Sequence, residues 1–445
     1  MIFSRLSQRR LATLPVRARK AHLDVEALER RDLPSVSHFL GSLIRPLTQS
    51  ATQASASQMA TGQASIAGSP VTPTNPMYGY QWDMSEIGAP YAWSNYTGNN
   101  RTTVAVIDTG IDYNHWDLYG NIWINQAEIP WSRRGYFKDM DGDGLITFRD
   151  LNYSINQGYG KITDINGDGH IDAQDILAPM GKNAQGRDSG WGGWASGSTQ
   201  DGDTQHPDDL VGWNFVANNN RPFDDNGHGT HVAGTIGAMG DSGVGVAGID
   251  WHVQMMALKF MDANGNGSYQ QAADAINYSI RHGAQISNNS WDGTGFYLPL
   301  AQAIANSQSA GQIFVVAAGN SGQSLWLNGA FPADLTFGNM VRVAATDQSR
   351  NLASSSNYGY GLVQLAAPGV NILSTTPNNS YGWYSGTSMA TPHVTGVLAL
   401  LHDVHPYWSY QQLIATVVDS TTPSYGLLYK TTSMGELNAP ATLAH

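Results

Sequence analysis

Residues 385–394 read Ser-Gly-Thr-Ser-Met-Ala-Thr-Pro-His-Val and lead directly into the apolar segment 395–401. A turn of small residues followed by an apolar, helix-forming run predicts that Ser388 lies at a helix N-terminus. Unpaired main-chain N–H groups and the helix dipole favour developing negative charge at such a place. The stretch therefore offers Ser388 as a candidate nucleophile, and the alternative for a single Ser here is an N-cap on a buried helix.

Composition limits the classes of protein to which the chain can belong. Its 445 residues are 41% hydrophobic and 13% charged, which supplies enough apolar material for a large core. Residues 51–445 carry 14 Lys/Arg against 31 Asp/Glu, an acidic balance that argues against nucleic-acid binding. The chain has no cysteine, so neither a disulfide nor a thiol nucleophile is expected. No apolar run approaches the roughly 18 residues of a membrane-spanning helix.

We expect a boundary between residues 76 and 77. Residues 1–76 combine a basic leader with an Ala/Ser/Thr/Gln/Pro-rich stretch over about 49–75, and this composition predicts a disordered linker. Residues 25–35, Val-Glu-Ala-Leu-Glu-Arg-Arg-Asp-Leu-Pro-Ser, resemble a short segment at the start of many exported planctomycete proteins. The resemblance implies a secreted or cell-surface protein, whereas the alternative is a charged amphipathic helix. Residues 77–445 are expected to form one folded domain.

Apolar strands and helices alternate along residues 77–445. The predicted strands are 103–107, 254–260, 285–291, 312–318 and 341–345, and the predicted helices are 269–282, 299–310 and 410–417. Buried strands that alternate with helices predict an α/β fold with a doubly wound, mostly parallel sheet covered by helices on both faces.

Two further polar residues fall where such a sheet assembles a site. Asp108 directly follows the strand 103–107, and His228 stands between two glycines at the start of a small-residue helix. The carboxyl ends of parallel strands meet at one edge of the sheet, so these side chains can meet Ser388 there. Asp108 alone could equally cap a turn, and we interpret His231 as a packing residue.

The order Asp108, His228, Ser388 carries a family resemblance. The motifs Asp-Thr-Gly at 108–110, His-Gly-Thr-His at 228–231 and Gly-Thr-Ser-Met-Ala-Thr-Pro at 386–392 resemble those of subtilisin-like serine peptidases. The resemblance implies a serine endopeptidase that forms an acyl-enzyme intermediate on protein or peptide substrates, and we expect a monomer. His228 would act as the base for the Ser388 hydroxyl, and Asp108 would orient the imidazole.

The same resemblance implies the rest of the site. Residues 317–320, Ala-Ala-Gly-Asn, resemble the segment whose Asn amide donates to the oxyanion; for Asn320 alone the alternative is a turn residue. An extended substrate would add as a strand to segments containing Ser290, Trp291, Ala317, Ala318 and Gly319. Asp292 follows, where many relatives have Gly. Its carboxylate either favours basic side chains in the substrate pocket or is a solvated loop residue.

Two acidic loops predict calcium binding. Residues 139–150 and 164–175 have EF-hand-type spacing, with Gly at position 6 and Asp instead of Glu at position 12, as in dockerin-like loops. Both fall within an expected insertion at about 126–205. The alternative is a pair of solvated acidic turns. The predicted ligands are Asp139, Asp141, Asp143, Leu145 and Asp150 in the first loop, and Asp164, Asn166, Asp168, His170 and Asp175 in the second.

A third calcium site is implied by the resemblance alone. Gln81, Asp117 and the loop 239–246, with Asp241, resemble a structural calcium site of the family. The alternative function for the whole chain is a calcium-dependent protein-docking module carried on a peptidase-fold scaffold.

Overall fold

The computed structural model describes residues 68–445. The predicted export segment at 25–35 and most of the predicted linker lie outside the described residues. The strands are β1 Thr103–Asp108, β2 Met180–Lys182, β3 Asp188–Gly192, β4 Gly212–Asn214, β5 Gln254–Lys259, β6 Ile286–Asn289, β7 Ile313–Ala317, β8 Met340–Thr346, β9 Leu365–Pro368, β10 Ile372–Thr376, β11 Ser380–Tyr384, β12 Thr422–Pro423 and β13 Gly435–Glu436.

Ten α-helices lie in the described part of the chain. They are α1 Trp82–Glu86, α2 Ala89–Trp93, α3 Phe148–Leu151, α4 Ala173–Ile176, α5 His228–Gly237, α6 Tyr269–Arg281, α7 Leu298–Ser309, α8 Thr387–Val404, α9 Tyr410–Asp419 and α10 Ala439–Thr442.

Nine strands form one sheet in the order β12-β13-β9-β8-β7-β6-β1-β5-β4. Every neighbouring pair is parallel except β12 and β13. Because parallel strands need long crossovers, the helices lie between them in sequence and cover the sheet. The predicted α/β fold, a mostly parallel sheet between helices, is confirmed.

The two faces of the sheet have separate apolar cores. In β1, Val104 and Val106 point into a core shared with α5 and α8, whereas Ala105 and Ile107 point into a core shared with α6 and α7. This alternation follows from the period of two along a strand. All four residues are fully buried, which explains why the strand reads as a continuous apolar run.

The predicted insertion packs against the domain. It contains α3, α4 and the hairpin β2–β3, and its apolar side chains Phe148, Ile162, Ile176 and Trp194 belong to the core shared with α8. The buried Arg133 holds it together with a bidentate contact to Asp188 and bonds to three main-chain carbonyls.

Residues 68–76 belong to the predicted linker, and this part of it lies against the domain. Val71 N–H donates to the Pro90 carbonyl at 2.9 Å, and Met77 N–H donates to the Gly245 carbonyl at 2.8 Å. The side chain of Asn75 adds contacts to the loop 239–246. Polar composition concealed this packing because these partners lie more than 160 residues away in the sequence. Within residues 68–445, no helix is both long and apolar enough to cross a membrane.

Candidate active site

Asp108 and His228 are brought together at the carboxyl end of β1. Asp108 is the last residue of the strand, His228 is the first residue of α5, and His228 Nδ1 lies 2.8 Å from Asp108 Oδ1. Asp108 is fully buried, whereas the His228 side chain is 26% exposed. The carboxylate therefore holds the imidazole with Nε2 available to the cleft.

A second carboxylate, Asp224, holds these two elements in place. It is fully buried and accepts five hydrogen bonds, from Thr109 Oγ1, from the N–H groups of Asn226, Gly227 and Thr230, and from Thr230 Oγ1. Gly229 N–H in turn donates to Thr109 Oγ1 at 2.8 Å. The start of α5 is thus fixed to the loop after Asp108 by charge-assisted hydrogen bonds.

Ser388 lies in the first turn of α8, as its sequence context predicts. Asn320 follows β7 and accepts the Thr387 N–H at 2.8 Å through its Oδ1 atom. This bond turns the Asn320 Nδ2 group away from the helix. Among residues 68–445, neither Nδ2 of Asn320 nor the main-chain N–H of Ser388 has a hydrogen-bond acceptor. The two donors are therefore free to bind an oxyanion beside the Ser388 hydroxyl.

The hydroxyl of Ser388 is bonded to the main chain of a neighbouring segment. Ser388 Oγ donates to the Ser290 carbonyl at 3.0 Å, and Ser290 Oγ donates back to the Ser388 carbonyl at 2.9 Å. No hydrogen bond joins Ser388 to His228 in the described structure. The Ser388 hydroxyl must therefore break its hydrogen bond to the Ser290 carbonyl before it can give its proton to an imidazole.

The predicted substrate segments flank Ser388, but their side chains are buried. Ser290, Trp291, Ala317 and Ala318 are at most 7% exposed, and Trp291 Nε1 donates to the Ile107 carbonyl at 2.9 Å. These segments therefore offer a ligand their main-chain groups and not their side chains. The N–H and C=O groups of Trp291 have no partner within residues 68–445, as strand addition requires.

Asp108 also sets the electrostatics of His228. Burial disfavours the charged imidazolium, but the charge and hydrogen bond of Asp108, together with the charge of Asp224, raise the pKa of His228 above its usual 6.5. The neighbouring His231 is fully buried inside α5, bonded to the Ile372 carbonyl, and burial lowers its pKa to about 3. Only His228 is poised to exchange a proton in the cleft.

In the first acidic loop, three carboxylates converge. Asp139, Asp141 and Asp143 each place an oxygen within 4.8 Å of the others. Asp139 also accepts the N–H groups of Gly142 and Gly144. Burial and the charges of the other acids raise the pKa of Asp143 to about 6. A cation would offset this repulsion, so the donor set suits Ca²⁺.

The second loop shares the main hydrogen bonds of the first. Asp164 accepts the N–H groups of Gly167 and Gly169, as Asp139 does at the same loop positions. The position-12 residues, Asp150 and Asp175, are buried and act as capping-box partners of Thr147 and Asp172 at the starts of α3 and α4. Position-7 residues Leu145 and His170 complete the predicted sets. The His170 ring stacks on Tyr119 at 4.6 Å, which leaves its carbonyl as the candidate ligand.

The three side chains of the implied third calcium site each have protein partners. Gln81 pairs with both the N–H and the C=O of Ala247. Asp117 accepts the Val246 N–H and the Tyr381 hydroxyl, and Asp241 accepts the Thr74 N–H.

Sequence reasoning missed two groups near these sites. The first is Asp224. The pattern that could have indicated it is an Asp shortly before the start of a helix, here α5, where Asp often accepts main-chain N–H groups. The second is a cluster in which Asp201, Asp209 and His282 place ligand atoms within 4.8 Å of one another. His282 lies more than 70 residues from both acids in the sequence, so no local motif could have indicated the cluster.

The chain matches the model of one protein family, described as the subtilase family, over residues 99–438. It is 40% identical to M-protease of Shouchella clausii (strain KSM-K16) over 214 residues, 48% of this chain and 54% of that protein. It is also 40% identical to subtilisin Savinase of Lederbergia lenta over 214 residues, 48% of this chain and 77% of that protein. The chain thus spans about half the length of M-protease.

A longer but weaker match is subtilisin-like protease 1 of Plasmodium falciparum (isolate 3D7), 28% identical over 386 residues, 82% of this chain and 47% of that protein. Among solved structures, a cold adapted subtilisin-like serine proteinase aligns with a TM-score of 0.48 at 24% identity. That alignment covers 78% of this chain and 90% of the other.

The Asp108–His228 pair predicts a titration. We expect the ring of His228 to titrate above pH 6.5 in the wild type and at a lower pH in Asp108→Asn, because the neutral amide no longer stabilises the imidazolium. NMR titration, with the His228 signal assigned from His228→Gln, measures both values. The matched control is Asp203→Asn, which removes an Asp–His contact outside the site, at 2.7 Å to His206. A His228 pKa that Asp108→Asn leaves unchanged would contradict the assignment.

Proposed function

The chain belongs to the subtilase family, and we propose on this premise that it is a serine endopeptidase that hydrolyses peptide bonds in protein or peptide substrates. Ser388 is the nucleophile, His228 the general base and acid, and Asp108 the residue that orients the imidazole. Asn320 and the main-chain N–H of Ser388 bind the oxyanion. The whole activity is a proposal for this chain, and the experiments below test it.

In the first half of the reaction, Ser388 Oγ attacks the substrate carbonyl carbon while His228 Nε2 takes the hydroxyl proton. The carbonyl oxygen becomes an oxyanion between the two N–H donors. The intermediate collapses when His228 returns the proton to the leaving amine, which breaks the peptide bond and leaves an ester on Ser388.

In the second half, water attacks the ester carbonyl and gives a proton to His228. The second tetrahedral intermediate releases Ser388, which recovers its proton from His228, and the carboxylic acid product departs. The Asp108–His228 contact keeps Nε2 as the atom that exchanges protons in both halves.

The observation that carries this proposal is the pair of unpaired N–H donors beside Ser388. A Ser that served only as an N-cap would accept an N–H of its own helix, yet Ser388 Oγ donates to the Ser290 carbonyl instead. The Asn320 amide is fixed by Thr387 so that its remaining donors have no acceptor in the described part of the chain. This arrangement has a ready use in stabilising an oxyanion.

We further propose that Ca²⁺ binds in the loops 139–150 and 164–175 and stabilises the insertion. The hydrogen-bond pattern shared by the two loops and the converging carboxylates of the first loop support it. The ions would act on stability and not in the reaction, because the loops belong to the insertion whereas the candidate triad lies on β1, α5 and α8. Millimolar calcium is found outside cells, which fits action in an extracytoplasmic location.

Labelling with a serine-directed fluorophosphonate tests the nucleophile. We expect wild-type protein to be labelled at a single residue, Ser388→Ala to remain unlabelled, and Asn320→Ala to react more slowly because the phosphyl oxygen loses one donor. Mass spectrometry of the labelled peptide identifies the residue. Ser309→Ala is the matched control, since it removes an exposed hydroxyl on α7 that bonds only to the Ala305 carbonyl of its own helix. Labelling that persists in Ser388→Ala would falsify the assignment.

Thermal unfolding tests the calcium proposal. We expect a chelator to lower the Tm of the wild type, and to lower it much less in the double variant Asp139→Ala/Asp164→Ala, because ligand binding to the folded state is then lost. Asp262→Ala is the control, since Asp262 also accepts two main-chain N–H groups in a turn outside the loops. A wild-type Tm that is the same in calcium and in chelator would rule out the proposal.

A further inference from the structure

Asp292 stands beside the candidate active site on the segment that borders Ser388. It follows Ser290, whose carbonyl accepts the Ser388 hydroxyl, by two residues. Gly293, the next residue, is fixed to Phe331 by a pair of main-chain hydrogen bonds at 2.9 and 3.1 Å. The main chain around Asp292 is therefore held in a defined position close to the nucleophile.

The Asp292 carboxylate points across the cleft toward the other substrate segment. A Cβ atom placed on Gly319 would collide with Asn357 Nδ2 and would lie 2.8 Å from Asp292 Oδ2 and 3.2 Å from Ala330 Cβ. Gly319 has φ +96°, and it directly precedes Asn320. The carboxylate thus lies in the gap between residues 290–292 and 317–320, next to the oxyanion donor.

No protein group compensates the charge of Asp292. Within residues 68–445 its carboxylate accepts no hydrogen bond and forms no ion pair, although the residue is half-buried and burial raises its pKa. Of the two other side chains at this point, Ala330 is apolar, and the Asn357 amide is neutral and donates to the Ala318 carbonyl at 2.9 Å. A partly buried carboxylate without a partner is unfavourable in the free protein, and a cation supplied by a ligand would relieve this cost.

We propose that Asp292 makes the site selective for substrates with Lys or Arg at the residue whose carbonyl is attacked. This inference rests on the proposed function. An extended substrate that pairs with the free main chain of Trp291 places one side chain in the gap next to Gly319. A basic side chain there reaches the carboxylate, whereas an apolar one leaves it buried and unpaired.

Two pairs of fluorogenic peptides test this selectivity, Lys against norleucine and Arg against citrulline at the attacked residue, since each pair differs mainly in charge. We expect kcat/KM to favour the charged member by about 10–100-fold, the range of a charge-assisted hydrogen bond. Asp292→Asn should reduce the ratio at least tenfold, because kcat/KM falls more for the charged peptides than for their neutral counterparts. Asp274→Asn, which neutralises an exposed carboxylate on α6, is the matched control.

The outcomes separate the two proposals. If the wild type cleaves norleucine and citrulline peptides as well as the charged ones, or if Asp292→Asn keeps the preference, then Asp292 does not select the substrate although the peptidase assignment stands. If no peptide is cleaved and Ser388 resists fluorophosphonate, the proposed function itself fails, and the selectivity fails with it.

A second, independent observation concerns Asn75, in the segment before the first helix. Its Nδ2 atom lies 2.6–3.0 Å from four oxygens: the carbonyls of Met239, Val244 and Val246 and the hydroxyl of Ser242. Asn75 is buried, 4% exposed. An amide nitrogen has two hydrogens, so four oxygens around it exceed what it can donate to. The four oxygens are arranged like the ligands of a metal ion, with the Asn75 amide nitrogen in the place of the ion.

These oxygens belong to the loop that resembles a structural calcium site of the family. The residues present do not suit an ion there, because the Asn75 amide fills the space between the carbonyls. We infer that its partly positive NH₂ group takes the place of a bound cation and holds the loop 239–246 without calcium. The nearby Asp117 carboxylate is satisfied by the Val246 N–H and the Tyr381 hydroxyl instead.

Thermal unfolding of two variants in calcium and in chelator tests the inference. Asn75→Ala should lower the Tm by on the order of a few degrees in both conditions, because carbonyls lose their donor. Asn75→Asp should have a lowered Tm in chelator, because its carboxylate then faces the carbonyl oxygens. Calcium should raise this Tm again, so the Tm of the variant should depend on calcium more strongly than that of the wild type.

Either of two results would overturn the inference that Asn75 replaces a cation. If Asn75→Ala reduced the calcium dependence of the Tm, the wild-type shell would hold an ion with Asn75 as a ligand. An Asn75→Asp variant with the calcium dependence of the wild type would show that the shell cannot accept a cation. Near-ultraviolet circular dichroism of each variant before heating establishes that it is folded.

Discussion

The buried carboxylate of Asp224 is the interaction on which the arrangement of the site depends. Its five hydrogen bonds join the loop after β1 to the start of α5, and they fix the distance between Asp108 and His228. Each such bond to a charged group contributes about 1.5–3 kcal/mol, and leaving the buried charge without them costs more than their sum suggests. Because the carboxylate serves both elements at once, neither can shift without breaking bonds of the other. Glycine completes the contact, since a Cβ on Gly229 would collide with the Gly110 carbonyl.

The second half of the site is organised around the start of α8. Thr387 links α8 to the segment after β7: its N–H donates to Asn320, and its hydroxyl accepts the Gly319 N–H at 3.2 Å. Ser388 is thereby placed between the ends of β6 and β7, at the edge where parallel strands present their carboxyl termini. The reacting groups thus come from four separate elements. Their side chains are short, and they are positioned mainly by the main chain and not by their own packing.

The sequence predicts those features that produce local patterns. The apolar runs of β1, β5, β7 and β8 and the capped helices α6 and α9 are found within about two residues of their predicted bounds. The strands β9 to β13 escaped prediction because they are short, partly polar or only two residues long, and their pairing depends on distant partners. Asn75 and Asp292 show the same limit at the level of side chains. Each reads as an ordinary polar loop residue, and only a neighbour more than 25 residues away gives it a specific environment.

The insertion has a consequence for how the chain folds. β1 and β5 are adjacent in the sheet, with Thr103 paired to Gln254, so this contact closes a loop of about 150 residues. The entropy of closing a loop grows only with the logarithm of its length, and doubling it costs about 0.6 kcal/mol. The sheet therefore tolerates the insertion cheaply at equilibrium, but contacts so distant in sequence form slowly. An insertion that folded first would shorten the effective loop, so its own folding would set the pace at which the central strands meet.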